Sequence, residues 1–156
     1  MKIQQSKKAF TMVELVFVIV IIGILAAVAV PRLSATRDDA VISKARTLVA
    51  SVRNALAMER QKRILRGDFT AITAVGDNTN VFGKFSADSE GNQADVLEYP
   101  VKSEPNKKDR WSFNNGQYTF KSTLGDVIFE VVNGKFVCDT ATTHNENSEG
   151  CEQLTN

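Results

Sequence analysis

Residues 10–31 read FTMVELVFVIVIIGILAAVAVP and contain a single charged side chain, that of Glu14. The sixteen residues from Leu15 to Val30 carry no polar side chain. Together these residues predict a helix of roughly 30 Å, which is long enough to cross one bilayer. A carboxylate inside such a segment costs about 2.5 to 3.5 kcal/mol on insertion scales, so it is normally retained where a partner neutralises it. The chain offers no such partner nearby, because its basic residues stop at Lys8 and resume at Arg32.

The residues around Glu14 form a motif of defined order. Two basic residues are followed by a small residue, a Phe-Thr pair, two apolar residues and the carboxylate, namely Lys7, Lys8, Ala9, Phe10, Thr11, Met12, Val13 and Glu14. Gly23 and Pro31 lie further along the apolar run. This pattern resembles the N-terminal signature of the type IV pilin and type II secretion pseudopilin family. Ala9 stands where that family strongly prefers glycine, although its side chain is still small enough for a narrow subsite.

The resemblance implies a filament subunit without catalysis of its own. Prepilin peptidase would cut between Ala9 and Phe10, and the new Phe10 amine would be N-methylated. Glu14 would then pair with the Phe10 ammonium of a neighbouring subunit, and Gly23 and Pro31 would be the positions where the helix breaks. An ion pair in a low-dielectric medium requires both charges, so subunit docking and charge neutralisation become one event. The implied partners are other copies and other pilin-like subunits, the peptidase, an inner-membrane assembly platform and membrane lipid.

Two other interpretations of the N-terminal segment compete with this one. A secretory signal peptide would be cut after residues 27–29, Ala-Val-Ala, but the apolar run exceeds the usual length and Glu14 lies inside it. A plain signal anchor explains the length of the segment but leaves Glu14 unexplained. N-terminal sequencing separates the three, because the mature chain would begin at Phe10, after Ala29, or at Met1.

The lysines that precede the apolar run predict that the N-terminus is cytoplasmic and that the chain after Pro31 lies in the periplasm. In that oxidising compartment Cys138 and Cys151, the two cysteines of the chain, are expected to form a disulfide around a polar loop. A zinc site is a weaker alternative, because His144 is the single histidine available to accompany them.

Sequence periodicity divides the rest of the chain. We predict a leader at 1–9, a helix at 10–66 whose part 10–31 spans the membrane, a connecting region at 67–110, and an antiparallel sheet with a disulfide-closed loop at 111–156. Apolar residues recur at helical spacing along one stripe, namely Val41, Ala45, Leu48, Val52 and Ala55. Alternating residues around two Asn-Gly pairs, at 115–116 and 133–134, predict a four-stranded meander. The fold class is therefore α+β, and the resemblance implies a pilin-like lollipop in which the helix covers the sheet.

Charge is unevenly distributed along the chain. Residues 32–66 carry a net charge of +6 and residues 67–156 a net charge of −7. Arg46, Arg53 and Arg60 recur every seven residues along one helix face. This face is interpreted as a solvated surface or a contact with acidic neighbouring subunits. DNA is ranked lower as a partner, because no aromatic residues interleave with these arginines to stack bases.

The sequence offers little support for an enzyme or a cofactor. It contains no glycine-rich phosphate loop, no nucleophile-elbow motif and no second histidine. The acidic turn formed by Asp88, Glu90, Asn92 and Asp95 resembles a calcium loop in composition but lacks its spacing, so calcium is a weak candidate beside the expectation of no cofactor.

The short chain favours a pseudopilin of a secretion or competence system, whereas the C-terminal cysteine pair is more typical of the true pilins that build surface fibres.

Overall fold

The computed structural model of the chain describes residues 10–122, 125–139 and 146–155. Its elements in chain order are α1 (Met12–Leu65), β1 (Trp111–Asn114), β2 (Gln117–Ser122), β3 (Gly125–Val132), β4 (Lys135–Cys138) and α2 (Glu146–Thr155). A long N-terminal helix followed by an antiparallel sheet confirms the predicted α+β class. Contacts divide the chain into two compact units, Met1–Asp39 and Ala40–Asn156.

The first unit holds the apolar half of α1. Its most hydrophobic window is fully exposed, and by length and composition this helix qualifies as a membrane span among the described residues. Pro31 lies inside the helix. Because proline has no N–H, the carbonyl of Ala27 loses its usual helical donor. A Cβ on Gly23 would have no described heavy atom within 4 Å, so that side of the helix is open to close approach.

The second unit begins with the C-terminal, polar half of α1. One apolar stripe along this half packs against the core. Ala45 and Val52 are buried as predicted, and Val41, Leu48 and Ala55 pack against the core while partly exposed. The most deeply buried positions also include two neighbours that were not predicted, Val49 and Leu56. The predicted stripe is thus confirmed, and it is one residue wider than the periodicity indicated.

The helix ends at Leu65, within one residue of the predicted end. Gly67 has a positive φ of 79°. Its N–H donates to the Ile64 carbonyl at 3.0 Å, and the N–H of Asp68 donates to the Arg63 carbonyl at 2.9 Å. These two bonds form a Schellman motif, which needs the left-handed backbone that glycine adopts without steric cost.

The four strands form one antiparallel sheet in the order β1-β2-β3-β4. Asn115 and Gly116 have φ values of 49° and 87°, and Asn133 and Gly134 have values of 51° and 70°. Two consecutive positive φ values define the type I′ turn that joins two antiparallel strands with the correct twist. Both predicted Asn-Gly hairpins are therefore confirmed, and with them the meander.

The connecting region was expected to be irregular, and among its residues only isolated bridges interrupt the loop. It nevertheless supplies a third of the buried core, namely Ile72, Val75, Val81, Phe82, Phe85 and Val96. The ring of Phe82 contacts Trp111, Tyr118 and Phe136 with centroids 5.1 to 5.7 Å apart. The Tyr118 hydroxyl accepts the Val75 N–H at 2.9 Å, which fixes this region to the sheet.

The C-terminal segment corrects one prediction. Cys138 and Cys151 form the expected disulfide, with Cα atoms 5.9 Å apart. Cys151, however, lies in α2 rather than in an irregular loop. The helix is polar and ten residues long, so periodicity gives almost no signal for it, and packing stabilises it instead. Leu154 and Cys151 are buried, and Gly150 lies directly against Val127 of β3.

Gly150 permits the close approach of α2 to the sheet. A Cβ at this position would lie 2.4 Å from Cγ2 of Val127. We expect Gly150→Ala to destabilise the folded chain by about 1 to 2 kcal/mol, because the stiff valine cannot yield and overpacking outweighs the better helix propensity of alanine. In a Val127→Ala background the same change should become neutral or stabilising. Thermal melting of the detergent-solubilised protein measures both, and the same loss in both backgrounds would contradict the contact.

The disulfide closes a loop with a sequence separation of 13. A loop of this size corresponds to roughly 3 kcal/mol in the chain-entropy model. A reducing agent should therefore lower the melting temperature of the protein, and Cys138→Ser should abolish that sensitivity. Free thiols in the native protein would contradict the prediction.

Candidate functional site

The candidate functional site is the first turn of α1, where Glu14 lies. Thr11 precedes the helix, and its Oγ1 accepts the N–H of Glu14 at 3.3 Å. Its carbonyl accepts the N–H of Leu15 at 3.1 Å. Thr11 is therefore the N-cap, and Glu14 occupies the third helical position, whose backbone N–H is bound by the capping hydroxyl. The Thr-x-x-Glu spacing could have shown this from the sequence.

Glu14 is placed favourably for the helix but without an ion partner in the described part of the chain. It is the acidic residue of the first turn, where the positive end of the helix dipole favours a carboxylate by about 0.3 to 1 kcal/mol. Its side chain is exposed, and no described Lys or Arg lies within 4 Å. This gain from the helix dipole is smaller than the roughly 2.5 to 3.5 kcal/mol cost of the charge in a bilayer. The position of Glu14 at the helix start therefore does not by itself explain why a charge is kept in this segment.

Phe10 stands just before the N-cap and is 80% exposed. The leader residues 1–9, including Ala9, lie outside the described residues. Cleavage between Ala9 and Phe10 would free the backbone amine of Phe10. An amine created there would stand at the positive end of the helix dipole, where a cation is unfavourable unless a carboxylate approaches it.

The predicted arginine face turns partly inward. Arg46 Nε donates to the Gln153 carbonyl at 2.8 Å, and Arg53 Nε donates to the Phe136 carbonyl at 3.1 Å. Arg46 therefore satisfies a carbonyl in the last turn of α2, a helix whose own last turn has no basic residue. Arg60 is exposed. Two of the three arginines thus form hydrogen bonds with distant parts of the same chain.

Three of the four calcium candidates, Asp88, Glu90 and Asn92, are joined by hydrogen bonds. Asp88 Oδ1 accepts the N–H groups of Asn92 and Glu90 at 2.8 and 3.0 Å. These donors, led by Asn92, lower the pKa of the Asp88 carboxyl below its usual value, and the charge of Arg66 acts in the same direction. Asn92 Nδ2 donates to Glu90 Oε2 at 3.2 Å, and Asp95 is exposed. Calcium binding stays a prediction, tested by calcium-dependent melting.

Metal ligands are not grouped in the described ranges. There, no set of three or more His, Cys, Asp or Glu side chains is placed to hold a metal ion. His144, the candidate zinc companion of the cysteines, lies outside them. Both cysteine sulfurs are used in the disulfide.

A buried ion pair lies near the C-terminal end of α1. Arg63 lies in the last turn of α1 and is only 2% exposed. Its guanidinium donates to Glu59 Oε1 at 3.1 Å and to the carbonyls of Ser86 and Ala87 at 2.6 and 3.4 Å. The pair fixes the connecting region to α1. The spacing of Glu59 and Arg63, four residues apart, was a visible signal for the ion pair but not for its burial.

Comparison with known proteins agrees with the N-terminal motif. A family model described as the prokaryotic N-terminal methylation motif matches residues 4–30. The chain is also 37% identical over 95 residues to a protein named fimbrial protein from Moraxella nonliquefaciens, a match that spans 59% of this chain and 62% of that protein. No solved structure matches the chain.

The motif, the relative and the fold support the type IV pilin and pseudopilin family, so the resemblance seen in the sequence is confirmed. That family is structural rather than enzymatic, and its members assemble into filaments with other pilin subunits. These findings support a type IV pilin-like structural subunit, and the apolar helix is suited to membrane anchoring.

Proposed function

We infer that this chain is a filament subunit assembled through pairing of Glu14 with the Phe10 amine of a neighbouring copy. The observation that carries the proposal is the lone carboxylate in the first turn of an exposed apolar helix, inside the methylation motif. An apolar helix can carry that charge at low cost if assembly brings a cation to it. Prepilin peptidase would create the cation by cutting after Ala9, on the cytoplasmic side of the inner membrane.

The processing step is tested by the mass of the mature chain. Membrane protein from cells that contain prepilin peptidase should begin at Phe10 and carry one N-methyl group. The result that would contradict the proposal is a chain that keeps Met1 or begins after Ala29.

The residue before the cut should control its rate. If Ala9 occupies a narrow peptidase subsite, Ala9→Gly should be processed as fast as the unmodified chain or faster. Ala9→Leu should accumulate as precursor, because the branched side chain does not fit. Immunoblots of precursor and mature protein over time measure both rates, and Gln4→Leu, a substitution outside the subsite that leaves the leader lysines in place, serves as the control. Normal processing of Ala9→Leu would exclude this role for Ala9.

The filament itself is proposed to be a surface fibre. The name of the fimbrial relative supports a fibre, and the C-terminal disulfide agrees with it. The pseudopilin that the short chain favours is the second candidate. Electron microscopy at native expression separates them, because a fibre subunit gives long filaments that shear from the cell. A pseudopilin gives none until it is overexpressed.

A further inference from the structure

A groove runs between the polar half of α1 and β4, which is an edge strand of the sheet. Its volume is about 760 Å³. Its walls come from α1 residues 53–64 and from residues 134–137 of the last hairpin. This feature, the β4 groove, lies wholly within the second unit of the chain.

The β4 groove has an apolar floor and a cationic rim. Ile64 and Val137 line the groove and are 48% and 43% exposed, so part of the lining is accessible aliphatic surface. Arg53, Arg60 and Lys135 line the same groove. None of these three cations forms an ion pair within the described ranges. A fitting occupant therefore combines a large apolar side chain with carboxylates.

The chain carries such a segment at residues 95–99, named here the acidic segment. Asp95 and Glu98 are exposed, and Tyr99 is 80% exposed. Pro100 follows and restricts Tyr99 to extended backbone, which lowers the entropy lost on docking. The Val96 N–H donates to the Gly83 carbonyl at 2.8 Å, so the segment is held in place at its start.

The acidic segment and the β4 groove share no residue, and the chain that follows the acidic segment reaches β1, the strand at the other edge of the sheet from β4. Just beyond the acidic segment, the N–H of Glu104 donates to the Trp111 carbonyl at 2.9 Å, and Ser103 Oγ accepts the N–H of Phe113 at 3.1 Å. Both contacts are with β1, three strand spacings or about 14 Å from β4. The two surfaces are therefore distinct, and one copy can use both at once.

We propose that the acidic segment of one copy docks in the β4 groove of another. Tyr99 enters the apolar floor, and Asp95 and Glu98 meet the cationic rim. A contact between two different surfaces of identical chains is heterologous, so it repeats into an open helical array rather than closing a dimer. The opposite net charges of residues 32–66 and 67–156 also favour this contact between copies. This inference rests on the proposed filament function, because it specifies which surfaces of the folded unit meet along the filament.

Photo-crosslinking in assembled fibres tests the contact directly. Full-length protein carrying p-benzoylphenylalanine in place of Tyr99 should give covalent dimers on illumination. Mass spectrometry should map the linkage to residues 53–64 or 134–137 of the second copy. Linkage elsewhere, or fibres that assemble without linkage, would overturn the interface and leave the filament function intact. Absence of fibres from the unmodified protein would count against both.

Charge reversal provides the second arm of the test. Arg60→Glu and Glu98→Arg should each lower the yield of sheared fibres about tenfold, because like charges then face each other across the contact. The double variant should recover most of the yield. Lys44→Glu makes the same charge change on α1 outside the groove and should leave the yield unchanged. If both single variants match Lys44→Glu, or if the double variant is no better than the singles, the pairing is wrong.

Discussion

Cells that express Glu14→Ala should contain inserted, processed subunits but no sheared fibres. Insertion should not suffer, because the change removes the one charge that costs free energy in the apolar segment. The helix start should also survive, since the N-cap bond runs from the backbone N–H of residue 14 to Thr11 Oγ1. Assembly should fail, because the Phe10 ammonium of the next subunit would be buried unpaired at a cost of about 3 to 5 kcal/mol.

Opposite effects on insertion and assembly are specific to the pairing hypothesis. A signal peptide or a plain anchor predicts no opposite effects of Glu14 loss on membrane insertion and on fibre yield. Immunoblots of sheared and membrane fractions give both quantities from one culture. Glu90→Ala removes an exposed carboxylate of the folded unit and is the matched control, with fibre yield unchanged. If Glu14→Ala inserts, is cleaved and still gives normal fibres, the role assigned to Glu14 is wrong.

The parts of the fold that the sequence predicted are those specified by local signals. The end of α1 depends on Gly67, whose left-handed backbone is needed at one position. The two hairpins depend on Asn-Gly pairs in the same way, and alternation of apolar residues assigns the strand faces. Within the candidate site, the motif and the position of Glu14 could also be predicted from local sequence, because residue identity and spacing define both.

The parts that were missed depend on contacts distant in sequence. Helix α2 is too short and polar to form alone, and it exists because Gly150 and the disulfide hold it to the sheet. Phe82 lies among turn-forming residues and becomes central only when three sheet aromatics surround it. Arg63 belongs to the same class, because burial of its guanidinium depends on carbonyls more than twenty residues away.

Arg63→Ala should destabilise the folded chain by about 3 to 5 kcal/mol, the largest loss expected from any single change in the second unit. The substitution removes the partner of Glu59, which is 4% exposed. Arg66, at 3.8 Å from Glu59 Oε1 and half exposed, is the one other cation that the described residues place near it. The carbonyls of Ser86 and Ala87 would lose their donor as well.

The neighbouring arginine on the same helix provides the control. Arg60 is exposed and forms no ion pair in the described ranges, so Arg60→Ala should change stability by less than about 0.5 kcal/mol. Thermal melting of the detergent-solubilised full-length protein should show a drop on the order of 10 °C for Arg63→Ala. Equal melting temperatures for the two variants would contradict the buried position of Arg63.

A double substitution separates loss of packing from exposure of an unpaired charge. Glu59→Gln with Arg63→Met removes both charges and keeps most of the volume. Because much of the cost of Arg63→Ala comes from leaving a buried carboxylate without its partner, the double variant should melt well above the single one. The same logic applies to Glu14 and the Phe10 amine. A charge removed from water is tolerable as long as its partner is present, within one chain for Arg63 and, in the proposed filament, between two chains for Glu14. If the double variant melts as low as Arg63→Ala, the stabilisation comes from the carbonyl contacts and the shape of the guanidinium rather than from charge pairing.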